Sequence, residues 1–141
     1  MKDRYDLPCN IAQTLNIIGD RWTLLILHEV LAGHHSFNQI KRALQGLSSR
    51  LLSERLKYLE AAGLLRAELV SEHPPRFRYA LTESGQALEH VFNALILWGR
   101  DHLQPCYKKL VHAECGHEVR IAYRCSHCGT DVSELNVIPV G

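Results

Sequence analysis

The stretch from Ser36 to Glu60, SFNQIKRALQGLSSRLLSERLKYLE, restricts the fold more than any other, because it spells two short amphipathic helices joined by a tight turn. Ser36 and Gln39 have the spacing of a capping box, in which each side chain satisfies the other residue's free amide. Phe37, Ile40 and Leu44 then recur at helical spacing until Gly46 interrupts the run, and Ser48 or Ser49 can cap a second helix. That second helix has two unlike faces. Leu52, Leu56 and Leu59 gather on one side, while Arg50, Ser53, Glu54 and Lys57 fall at i, i+3, i+4 and i+7 on the other. A helix so divided is held to a core by its back. Its front offers cations and short hydrogen-bonding groups, which suit phosphates and the base edges of a major groove.

The flanking segments extend this pair into a recognisable order. Pro8 and Cys9 open an apolar helix that ends at Gly19, and Asp20 can cap RWTLLILHEVLAG, whose apolar residues cover most of its circumference and predict a core helix. Beyond Gly63, LLRAELV and RFRYALT read as the two strands of a hairpin, with Phe77 and Tyr79 alternating against Arg76 and Arg78. Pro74 and Pro75 argue against a regular ladder at the tip, so SEHPP is expected to be a projecting loop. Thr82 then caps one long helix to about Leu103, with Leu88, Val91, Phe92, Leu95, Trp98 and His102 on a broad stripe. The expected class is mainly α with a small β-hairpin wing, a winged helix-turn-helix over residues 1–105. In it Arg76, Arg78 and His73 can reach phosphates or the minor groove. The last helix has more apolar surface than so small a domain needs, which points to a homodimer contact with the segment around Cys9 as its partner.

Composition narrows the class further. A length of 141 residues with 46% hydrophobic content allows one compact core and a small appendage. The run WTLLIL is too short to cross a bilayer, and MKDRYDLPCN has neither the apolar stretch nor the cleavage site of a signal peptide. A cytoplasmic protein is expected, with its five cysteines reduced and available for metal or redox chemistry. A formal net charge of +1 makes no global case for nucleic acid. From Ser36 to Tyr79, however, eight cations (Lys41, Arg42, Arg50, Arg55, Lys57, Arg66, Arg76, Arg78) face four anions (Glu54, Glu60, Glu68, Glu72). That segment is +4 and leaves −3 elsewhere, the footprint of one basic face.

The pattern changes again in residues 106–141. His112-Ala-Glu-Cys115-Gly and Cys125-Ser-His-Cys128-Gly are near-copies of one unit, two metal-type ligands three residues apart followed by glycine. With the alternating EVRIAYR between them they predict a short, β-rich, zinc-ribbon-like extension, His112, Cys115, Cys125 and Cys128 being the four ligands of a structural zinc. His117 can replace His112, and a ribbon that has lost its metal is the alternative. Cys106 has no evident role.

Taken in order, the apolar helix after Cys9, GDRWTLLIL, FNQIKRAL, LSSRLLSERLKYLEAAGLL, PPRFRYALTESG and the late Trp98-Gly99 resemble the HxlR-type bacterial transcriptional regulators, winged-helix relatives of the MarR group, from Pro8 to Leu103. The resemblance implies a homodimeric regulator of double-stranded operator DNA. The helix from Ser48 to Ala62 would lie in the major groove, and the loop around Pro74 to Arg76 would be the wing. On that reading Arg50, Ser53, Glu54 and Lys57, with Ser48 and Ser49 at the helix head, face the groove, while Ser36, Lys41, Arg76 and Arg78 hold phosphates. Glu54 either accepts from a cytosine amine or ties down Arg50 or Lys57. In several members of that family a cysteine matching Cys9 senses oxidants or electrophiles; the other reading is a small hydrophobe at the dimer seam.

Two further classes compete with this reading. Winged helices and zinc ribbons also serve as protein-interaction modules of the transcription machinery, but Arg50 and Lys57 flanking Glu54 favour DNA. An enzyme fits poorly, since the chain lacks a glycine-rich phosphate loop and HExxH, and its nine histidines are scattered. The effector is open among an oxidant at Cys9, a metal in the tail and a small molecule between subunits.

Overall fold

The computed structural model describes residues 4–141, which divide into two compact units between Phe92 and Asn93. The change of composition at 105/106 therefore comes later in the chain than the division, which falls within a helix. In the first unit the elements run α1 (Asn10–Ile18), α2 (Thr23–Leu31), α3 (Phe37–Ala43), α4 (Ser49–Ala61), β1 (Leu65–Glu72), β2 (Pro75–Leu81) and α5 (Glu83–Ala87). Helix α6 (Glu89–His102) crosses the division, and the second unit adds two short strands, β3 (Tyr123–Arg124) and β4 (Asp131–Val132). The first unit has the winged helix-turn-helix order.

Local chemistry accounts for most of these boundaries. The Ser36 hydroxyl accepts from the Gln39 amide at 3.1 Å, and the Gln39 side-chain oxygen accepts from the Ser36 amide at 3.1 Å, so the capping box is complete. Ser48 caps α4 by accepting from the Leu51 amide at 3.1 Å. Asp20 heads α2 by taking the amides of both Trp22 and Thr23 at 3.1 Å, and the Thr23 hydroxyl donates to its other oxygen. Such caps satisfy donors that a helix leaves free at its start. Once formed, the helices bury Ile26 and Leu27 of α2, Ile40 of α3, and Leu52, Leu56 and Leu59 of α4 in one core with Leu47, Leu65 and Phe92.

Two expectations are corrected. Thr82 does cap a helix, accepting from the Gly85 amide at 3.2 Å, but the run to Leu103 is two helices rather than one, broken at Leu88. The break follows from packing: Gly85 is buried against the Leu64 carbonyl, and the chain turns tightly, with the Leu88 amide returning to the Gly85 carbonyl at 3.2 Å. Nor is SEHPP a loop. The antiparallel ladder runs to Glu72↔Pro75 and only His73 and Pro74 turn the chain. Proline lacks an N–H but keeps its carbonyl, so Pro75 is tolerated as the first residue of an edge strand. The register shifts between Leu69 and Ser71, which leaves Val70 out of the pairing.

Candidate nucleic-acid interface

Helix α4 stands on the core by Leu52, Leu56 and Leu59, each at most 2% exposed, so its opposite face is fixed outward. Arg50, Glu54 and Lys57 are exposed there, and Ser53 is half-buried beside them. A cleft of about 480 Å³ joins this face to the start of α3 and to the wing, lined by Ser36, Phe37, Asn38, Ser53, Lys57, Pro74, Pro75, Arg76, Phe77 and Tyr79. The structure thus brings Ser36, Ser53, Lys57 and Arg76 around one concavity. Lys41, Ser48, Ser49, Arg50, Glu54 and Arg78 lie outside its lining, Arg78 opposite Glu68 in the strand ladder.

The alternatives left open for Glu54 narrow in the free protein. Its carboxylate accepts from the Arg50 guanidinium at 3.3 Å, an i,i+4 pair with both side chains well exposed. Exposed pairs of this kind contribute little, about 0.3–0.5 kcal/mol. Lys57 and Arg76 make no ion pair among the described residues. Arg55, counted with the basic face in sequence, turns the other way. It is 18% exposed, lies over the Tyr58 ring at 4.7 Å, and reaches the Asp20 carboxylate at 3.4 Å. The residues of the cleft that sequence reasoning did not assign to a site are Phe37, Asn38, Phe77 and Tyr79. Only folding against the wing places them there, although the β2 alternation already separated Phe77 and Tyr79 from the arginines. Tyr79 is tied to the chain ahead of α3, its amide donating to the His35 carbonyl at 2.8 Å and its carbonyl meeting His35 Nδ1 at 3.0 Å. Burial first, and the negative field of Glu60 second, push its phenol above the usual tyrosine range.

Cys9 occupies the N-cap position of α1 and is exposed, with its amide donating to the Leu7 carbonyl at 2.8 Å. In the tail each ligand pair is formed on its own. His112 Nδ1 stands 3.2 Å from Cys115 Sγ, and Cys125 Sγ accepts from the Cys128 amide at 3.4 Å. Amides of Cys128 and His127 directed at its sulfur, with the Cys128 thiol, hold the Cys125 thiol below its usual range. Among the described residues no three His, Cys, Asp or Glu side chains gather as one ligand group, so the four expected ligands stand as two pairs.

A capped helix pair with a polar outward face and a hairpin wing beside it defines a DNA-binding transcriptional regulator. The chain belongs to the HxlR-like helix-turn-helix family, whose pattern matches residues 17–107. It is 36% identical over 133 residues to the uncharacterized HTH-type transcriptional regulator Rv3095 of Mycobacterium tuberculosis, covering 92% of this chain and 84% of that protein. Its structure is similar to that of PA1607, a transcription-factor candidate, with a TM-score of 0.76, 29% identity and 91% of each chain covered. The redox regulator HypR in its oxidized form matches with a TM-score of 0.61 and 31% identity, over 67% of this chain and 97% of that one. Among the described residues no helix is long and apolar enough to cross a membrane.

Proposed function

We propose that this protein regulates transcription as a homodimer that occupies a two-fold operator, each subunit laying α4 in a major groove and its wing on the neighbouring backbone. The observation that carries the reading is the cleft shared by Ser36, Ser53, Lys57 and Arg76, which links the recognition face to the wing tip. Arg50, at the head of α4, reads a base edge, where a guanidinium grips a guanine through two hydrogen bonds. Arg76 holds a phosphate, and Lys41 and Arg78 add to the attraction without reading sequence.

Selection of an operator from random DNA, followed by titration of two variants across salt, tests the division of labour. Arg50→Ala is expected to lose about 1–3 kcal/mol at the preferred base and to relax the choice there. Arg76→Ala is expected to weaken all sites alike and to lower the salt slope by about one. Binding unchanged in both variants would place the interface elsewhere.

A second reading concerns the inducing signal. Cys9 is exposed at the head of a helix, and HypR is a redox regulator, so oxidation at Cys9 is a candidate release mechanism. Loss of operator binding on mild peroxide treatment, absent in Cys9→Ser, would support it.

A further inference from the structure

We propose that the tail binds one zinc ion, held by His112, Cys115, Cys125 and Cys128, and that the ion closes two preformed half-sites into one centre. The two halves are built alike. In the first, Val111 bridges to Glu118 and the His112 amide donates to the His117 carbonyl at 2.9 Å; in the second, Arg124 pairs with Asp131 and the Cys125 amide donates to the Thr130 carbonyl at 2.9 Å. At each tip the glycine after the second ligand donates to the carbonyl of the first at 2.8 Å, Gly116 to His112 and Gly129 to Cys125. Both glycines take left-handed backbone, with φ of 74° and 70°, which other residues adopt with strain. Two hairpins that needed only to turn would have no reason to carry a ligand at the same two positions.

Spacing and packing point the same way. The 3.2 Å between His112 Nδ1 and Cys115 Sγ is close to the edge of a tetrahedron with Zn–N and Zn–S bonds of usual length, roughly 3.5 Å. The Cys128 amide directed at Cys125 Sγ suits a ligating sulfur, which gains from an N–H donor. His112 Nδ1 already stands beside Cys115 Sγ, whereas His127 lies inside the second turn with Nδ1 3.9 Å from Cys128 Sγ, which favours His112 as the nitrogen ligand. Of residues 106–141, all of them described, none is buried, and only Leu110, Val119, Cys125 and Val132 are even half-buried. A segment of that size without a core requires another source of order, and a structural metal is a common one. Three sulfurs and one imidazole suit zinc in a closed, non-catalytic site.

The full-length protein, stripped with chelator under reducing conditions and titrated with cobalt(II), tests this without reference to DNA. The expected result is one cobalt per chain with the intense visible bands of a tetrahedral ion and sulfur-to-cobalt charge transfer, displaced by one equivalent of zinc. The Cys125→Ser, Cys128→Ser double variant should bind at least 100-fold more weakly. Because that variant can fail to fold, His112→Cys is the second arm: it should keep one metal per chain and gain charge-transfer intensity. A weak octahedral cobalt spectrum in the parent protein, or a spectrum unchanged in His112→Cys, overturns the assignment. Operator binding measured on the same samples separates failure here from failure of the DNA-binding reading.

Discussion

Asp20 serves two elements with one carboxylate. It takes the first amides of α2 and meets Arg55 of α4, so the turn before α2 and the back of the recognition helix share an anchor. A cation count cannot reveal this, since Arg55 is the same residue whether it faces solvent or Tyr58. Gly85 is a second residue whose role depends on distant chain. A Cβ added there would overlap the Leu64 carbonyl oxygen, which as backbone has little room to yield. Gly85→Ala is therefore expected to cost about 2–3 kcal/mol, read as a lower denaturant midpoint with an unchanged slope. An unchanged midpoint would show that the α5 turn can relax away from Leu64.

Among the elements, those set by local caps were legible in the sequence and those set by distant contacts were not. The serines at the heads of α3 and α4, the leucines at helical spacing between them, and the alternation of β2 each depend on neighbours a few residues away. The break at Leu88 and the ladder reaching Pro75 depend instead on Leu64 packing over Gly85 and on β1 pairing with β2, and no window around those residues contains that information. The geometry of the candidate interface was legible to the same degree. The outward face of α4 follows from its leucines, whereas the cleft and its lining by Asn38, Phe77 and Tyr79 exist only once the wing has folded. In the tail both turns were readable from the repeated unit, whereas the strand expected over EVRIAYR shrinks to a bridge at Glu118 and the two residues Tyr123–Arg124. The cap of α4 gives a prediction of its own. Ser48→Ala leaves the Leu51 amide without its partner and should lower stability by about 1 kcal/mol, while Ser48→Gly should lower it by only a few tenths, both read by chemical denaturation.

At the scale of the whole molecule, the proposed dimer would account for one set of the apolar groups left in water, those on α1 and α6. Ile11 is 71% exposed on α1, with Leu7 and Leu15 also open, and α6 separately exposes Leu95 and Trp98, the latter 59%. Aromatic and aliphatic side chains of this size are costly to leave hydrated and are the usual centre of an interface. Leu95→Glu with Trp98→Glu is expected to give a monomer by light scattering, and its affinity for a two-fold operator should fall at least 100-fold while contact with a half-site persists. A dimer that survives both charges would locate the seam elsewhere. The Arg50–Glu54 pair has a consequence for the search that precedes any such complex. If α4 enters the groove as proposed, then on random DNA, which offers mainly phosphates, the guanidinium would approach with its charge partly answered while the carboxylate beside it is repelled. Where a guanine edge and a cytosine amine lay within reach, both partners would exchange one another for the DNA. On that reading the pair would act against binding to ordinary sequence, by no more than the few tenths of a kcal/mol that an exposed pair is worth, and would favour sites that can take both side chains together.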